Sequence, residues 1–162
     1  MENLNYNKAE LKVLKNNFFM AKALYETIKE EAENIQAAIL TNNEFYESEE
    51  WTEMMKTRGG DGKRKRILKP SNSFLMDEND SNKYFDLCYE EYKKAGIDDK
   101  RGRGWCPEAE AHDLFWEAEK QLVEYAINII PIEMKEREQL REAVRIVKYK
   151  EKVLDLILML EC

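Results

Sequence analysis

A chain of 162 residues is long enough to bury roughly two-thirds of its unfolded surface in one core. Hydrophobic residues make up 43% and charged residues 36%, with only 6 Gly and 3 Pro, which argues against a disordered chain or a sandwich. The net charge of −7 speaks against a protein that coats DNA generally. No apolar run reaches the ~18 residues of a membrane span. The N-terminus MENLNYNKAE lacks a basic-then-apolar leader, so a cytoplasmic protein is expected. Cys88, Cys106 and Cys162 are widely spaced without a CxxC, which fits reduced thiols.

The first predicted helix opens on Asn7 as cap, with Glu10 three residues on and Tyr6 placed to pack on Leu11. Leu11, Leu14, Phe18, Ala21, Tyr25, Ile28, Ala32, Ile35 and Ile39 follow at spacings of three and four. That is a 3.5-residue repeat over four heptads, the pattern of a long helix facing a partner. It predicts a helix to about residue 40, with Leu14, Phe18, Ile28 and Ile35 against the last two helices. Thr41, Glu44 and the pair Leu40 and Phe45 repeat the start signature, so a short helix is expected over about 42–57. Residues 58–80 then break the pattern. RGGDGKRKR is too rich in glycine for a helix interior, and Pro70 prolongs the break. An exposed loop is expected there, and a loop of that length is usually functional or disordered.

A third helix is expected over about 81–95, capped by Asp80 or Ser81. Tyr84, Cys88, Tyr92 and Ala95 form its apolar stripe, and Gly96 ends it with Ile97 packing back. After the loop Asp98 to Trp105, Pro107 suits the first turn of a fourth helix running to about 130. Its stripe is Ala111, Phe115, Ala118, Leu122, Tyr125 and Ile129. At Pro131 a sharp kink or corner is expected rather than a clean hairpin, because no cap residue precedes it and no Gly is near. A fifth helix is read over about 132–160. Val153, Leu154, Ile157, Leu158 and Leu160 cover too many of its faces for one neighbour, so a homodimer or enclosure by two helices is expected.

Motifs for chemistry are sparse. His112 is the only histidine, with Glu108 four before and Trp116 four after. The ferritin-like carboxylate sites use paired Glu-x-x-His motifs and two further glutamates. Here one Glu-x-x-x-His stands alone, so a histidine resting on its neighbours is the simpler reading and no metal is expected. Cys106 at a helix start would have a lowered pKa, but His112 lies nearly two turns away, so no nucleophile–base pair forms. GGDGKR lacks the spacing and the Ser/Thr of a phosphate loop. Asp77, Asn79 and Ser81 start like a calcium loop, yet Asn82 and Cys88 stand where Gly and Glu are required. No catalytic residue and no cofactor are expected.

Charge carries more. Lys56 to Lys69 holds seven basic residues and one acid, leaving −13 on the rest of the chain. Lys63, Arg64, Lys65, Arg66 and Lys69, with Arg101 and Arg103, form a candidate partner- or phosphate-binding patch. No stacking platform accompanies it, so weak nucleic-acid binding is the most it supports. Glu44, Glu47, Glu49, Glu50 and Glu53, mixed with Phe45, Tyr46 and Trp51, form a candidate acidic interaction surface that could occupy a basic groove on another protein.

The stretch Tyr84 to Pro131, YFDLCYEEYKKAGIDDKRGRGWCPEAEAHDLFWEAEKQLVEYAINIIP, resembles the small helical accessory proteins of prophages and other mobile elements. That class includes anti-CRISPR and other anti-defence inhibitors, and the resemblance implies a non-enzymatic protein that acts by binding. The expected fold is an all-α single domain of about five helices, with helices 1, 4 and 5 as a long antiparallel core. The expected function is binding of a protein partner, most concretely a nucleic-acid-targeting defence enzyme. Two alternatives stand beside it: a nucleic-acid accessory protein acting through residues 58–69, and a helical metal or thiol enzyme centred on His112 and Cys106.

Overall fold

The fold was obtained as a computed structural model, which describes residues 4–42, 78–97 and 107–162. It is all-α, with five helices among the described residues: α1 Lys8–Asn42, α2 Glu78–Lys94, α3 Ala109–Ile129, α4 Met134–Ala143 and α5 Val147–Met159. The helix expected over 42–57 and the loop 58–77 lie outside the described residues. The chain packs as two compact units, Met1–Leu24 with His112–Cys162, and Tyr25–Ala111, so α1 serves both.

In the first unit α1 and α3 run antiparallel, since Asn7 meets Tyr125 and the rings of Phe18 and Phe115 lie 5.6 Å apart. Asn7 is the expected cap: its Oδ1 accepts from the amides of Ala9 at 3.0 Å and Glu10 at 3.2 Å. The amide of Asn7 itself donates to the Tyr125 hydroxyl at 3.0 Å rather than to Glu10. Leu11, Phe18, Leu122, Val123, Ala126, Ile127, Val153, Leu154 and Ile157 are buried together, with Tyr6 and Leu14 packed on them. The core face of α3 is thus rotated from the predicted stripe. Leu122 belongs to it, but Phe115, Tyr125 and Ile129 are half-buried at its edge.

The chain after Pro131 corrects two expectations. Residues 131–133 are not helical, and α4 folds back along α3: Arg141 Nε donates to Glu124 at 2.9 Å, and its NH2 group to Asn128 Oδ1 at 2.8 Å. A straight continuation would put residue 141 about 25 Å beyond residue 124, at 1.5 Å per residue. Pro131 therefore marks a reversal, and the start of α4 is secured by Glu136, whose carboxylate accepts the Glu133 amide at 3.2 Å. The expected single helix over 132–160 is also two helices, broken at Val144–Ile146. In one continuous helix the mean direction of Leu140 and Val144 would lie about 110° from that of Val153, Leu154 and Ile157. The break lets both groups reach the same core. Of the C-terminal apolar run, Val153, Leu154 and Ile157 are buried and Leu158 and Leu160 are half-buried against the same core, while the neighbouring Leu156 and Met159 are exposed.

In the second unit the later part of α1 packs on α2. Ala32, Ile39, Leu40, Tyr84, Cys88, Tyr92 and Ile97 form its core, and Ile28 and Ile35 pack against them half-buried. The expectation that Ile28 and Ile35 face the last two helices is therefore wrong. At 21 residues, α3 is too short to line all 35 residues of α1. Gly96 has φ +75°, the Ile97 amide donates to Tyr92 O at 2.9 Å and the Gly96 amide to Lys93 O at 3.1 Å. This is the predicted left-handed helix end with its apolar residue, Ile97, packed back. Helix α2 starts three residues earlier than predicted, and Ala95 is exposed rather than part of the stripe.

Gln36 is the one buried polar residue among those described, and its amide donates to the Tyr92 hydroxyl at 2.6 Å. Tyr92→Phe should therefore cost about 1–3 kcal/mol, because the Gln36 amide loses that acceptor in a dry site. Gln36→Leu in the Tyr92→Phe background should restore part of the loss. Chemical denaturation of the four forms checks this, and a neutral Tyr92→Phe would contradict it.

Candidate functional site

All residues of the predicted basic patch (Lys63, Arg64, Lys65, Arg66, Lys69, Arg101, Arg103) lie outside the described residues. So do Glu44, Glu47, Glu49, Glu50 and Glu53 of the acidic surface, and Cys106. His112 is described and exposed: its Nδ1 stands 3.8 Å from the Asp113 carboxylate, and both side chains are more than half exposed. Among the described residues no three His, Cys, Asp or Glu side chains gather as metal ligands would. Cys88 is buried between Tyr84 and Tyr92, and burial pushes its thiol from the ordinary 9.0 up to about 11, against the lowering effect of hydrogen bonds with the two tyrosines. A thiol held protonated in this way is a core group rather than a nucleophile.

The feature that stands out is a surface in the first unit. An open groove of about 510 Å³ runs between α1 and α3, lined by Asn17, Met20, Ala21, Leu24, Leu114, Glu117, Ala118 and Gln121. Met20 is 73% exposed and Leu114 55%. Sequence reasoning missed this groove, although a signal was present. Glu10, Val13, Asn17, Met20 and Leu24 repeat at spacings of three and four, as a second stripe beside the one that forms the core. Leu114, Ala118, Gln121 and Tyr125 do the same on α3. Side chains at such spacings share one helix face.

Of the residues that line the groove one is charged, Glu117, and Asp113 and Glu10 are exposed on the flanking turns of α3 and α1. Lys120 approaches Glu117 at 3.9 Å with both side chains more than half exposed, a pairing worth little in water. Glu119 and Glu124, by contrast, are engaged inside the unit by Lys150 and Arg141. The basic residues of early α1, Lys8, Lys12 and Lys15, fall on faces turned away from the groove stripe, by helical spacing. No helix among the described residues is long and apolar enough to cross a membrane. No family model, curated protein or solved structure matches this chain.

Proposed function

We propose that this chain is a non-enzymatic binding protein whose docking face is the groove between α1 and α3. The observation that carries the reading is one groove between two helices that leaves the apolar side chains of Met20, Ala21, Leu24, Leu114 and Ala118 uncovered, edged by the polar Asn17, Glu117 and Gln121. Such a surface accepts a further amphipathic helix, apolar face inward, as helix-in-groove recognition does. Glu117 in the lining, with Glu10 and Asp113 exposed on the flanking turns, favours a partner whose helix is flanked by Lys and Arg. Basic surfaces of that kind are what nucleic-acid-binding proteins present. The mobile-element resemblance of residues 84–131 narrows the reading to an inhibitor that occupies the basic surface of a nucleic-acid-targeting defence enzyme. The first alternative, nucleic-acid binding by residues 58–69, rests on residues outside those described, and so does Cys106 of the second, a metal or thiol enzyme centred on His112 and Cys106.

A synthetic helical peptide with leucines at three-and-four spacing and Lys/Arg flanks tests the proposal by fluorescence anisotropy. Saturable binding is expected, weakening as salt rises and the screening length falls from about 10 Å at 0.1 M to about 3 Å at 1 M. Leu24→Glu should weaken it at least about tenfold, the scale of losing an interface anchor. Leu24 is 47% exposed, so the fold should tolerate this change. A charge-reversed peptide that binds equally well, or unchanged affinity in Leu24→Glu, would defeat the reading.

A further inference from the structure

A second concavity of the first unit shares no residue with the groove. It is a pocket of about 330 Å³ lined by nine side chains, every one apolar. Ala126, Val153 and Ile157, all buried, form its floor, and Leu4 and Leu160 contribute to its walls. It opens to solvent at the exposed residues Leu156 and Pro131.

The backbone around the pocket explains why its lining is apolar. Helix α3 ends at Ile129 and α5 at Met159, and both ends release carbonyl oxygens. Five carbonyl oxygens at and just beyond these ends are taken by side chains. The Arg137 guanidinium donates to Ile130 O at 3.2 Å and Ile132 O at 3.3 Å. Lys15 Nζ donates to the oxygens of Leu158 and Leu160, and the Tyr6 hydroxyl to Glu161 O at 2.9 Å. These bonds fix the Pro131 corner and the C-terminal segment to the rest of the unit, so the pocket is formed before any ligand arrives. No lining side chain offers water a hydrogen-bond partner. An ordered water needs two to four polar partners, and an apolar cavity of about 150 Å³ stays dry and holds a benzene ring. This pocket has about twice that volume and lies within the range of small-molecule sites.

We propose that the pocket binds the hydrocarbon chain of a small amphiphile, with its polar group left in solvent at the mouth beside Leu156 and Pro131. Specificity then follows from the absence of polar lining: a tail that carries a hydroxyl at its buried end is rejected, because that group loses its hydration with nothing in return.

Calorimetric titration of the full chain with decanol and with decanediol tests this. Decanol should bind with one-to-one stoichiometry and raise the melting temperature, as any ligand of the native state does. Decanediol should bind at least about tenfold more weakly. Ala126→Phe fills the floor and should abolish decanol binding while the helical circular dichroism is kept. If that variant does not fold, Leu156→Trp, a change at a 53% exposed position of the mouth, should weaken decanol at least about tenfold. Absence of saturable decanol binding, equal affinity for the diol, or wild-type binding by folded Ala126→Phe would overturn the proposal. A dimer in sedimentation that Leu156→Trp dissociates would assign the pocket to a second copy and overturn it as well. None of these outcomes bears on peptide binding in the groove between α1 and α3.

Discussion

Replacing Leu122 with alanine should lower the free energy of unfolding by about 2–5 kcal/mol. Leu122 has no exposed surface, and it sits in the cluster that joins Leu11 and Phe18 of α1 to Val153, Leu154 and Ile157 of α5. Truncation removes the transfer free energy of three carbons and leaves a cavity that helices approaching from both sides cannot close. A domain's total stability is about 5–15 kcal/mol, so the loss is a large share of the whole. Leu114→Ala is the control. Leu114 is 55% exposed on the same helix, and its truncation should change stability by no more than about 0.5 kcal/mol. Urea unfolding of both variants checks the pair. A Leu122→Ala loss below about 1 kcal/mol would contradict the position of the core on α3.

The second large effect should appear at alkaline pH. The Cys88 thiol titrates at about 11 in the folded chain and near 9.0 when unfolded. Between those values the unfolded state has released the proton and the native state still holds it. The unfolded state then binds fewer protons, so stability falls as pH rises. Below pH 9 both states are protonated and Cys88 makes no pH-dependent contribution. Across the window the loss approaches roughly 3 kcal/mol, at 1.36 kcal/mol per pH unit of difference. Tyrosines and lysines also titrate in this range, so the informative quantity is the difference between the wild type and Cys88→Ala. The variant should start less stable and lose less between pH 9 and 11. Parallel slopes for the two proteins would show that Cys88 is not held protonated. Alkylation followed by peptide mapping gives a second measure: Cys162, which is exposed, should react at once in the native state, and Cys88 only on unfolding.

The local signals in the sequence proved readable where the physics is local. The Asn7 cap, the left-handed Gly96 with Ile97 packed behind it, and the helical spacing of Tyr84, Cys88 and Tyr92 each depend on residues within about two turns. The heptad stripe of α1 was legible too, and its finer grain appears in the burial. Leu11, Phe18, Ala32 and Ile39 are buried, while Leu14, Ala21, Ile28 and Ile35 between them are half-buried. Periodicity says that such a stripe needs cover, and it does not say from which element. That is why Ile28 and Ile35 were assigned to the wrong neighbours.

Tertiary structure alone decided what several elements must satisfy together. Nothing in the residues from Val144 to Ile146 stops a helix as Gly or Pro would. The break lies between two apolar groups whose mean directions one straight helix would set about 110° apart, although both belong to the same core. Nor does Pro131 by itself distinguish a kink from a reversal. Arg141 reaching Glu124 and Asn128 does, and those partners lie 17 and 13 residues away. The stripe of Met20 and Leu24 was present in the sequence, but apolar residues in a helix are ordinarily read as core. Only the position of α3, with Leu114 beside them and no described element covering the groove, makes them a surface. Sequence by itself thus determined the start of α1, the end of α2 and which faces require burial, because capping and periodicity act within a few turns. Which faces find cover and which stay exposed was decided by packing, which sums contacts between residues far apart in the chain.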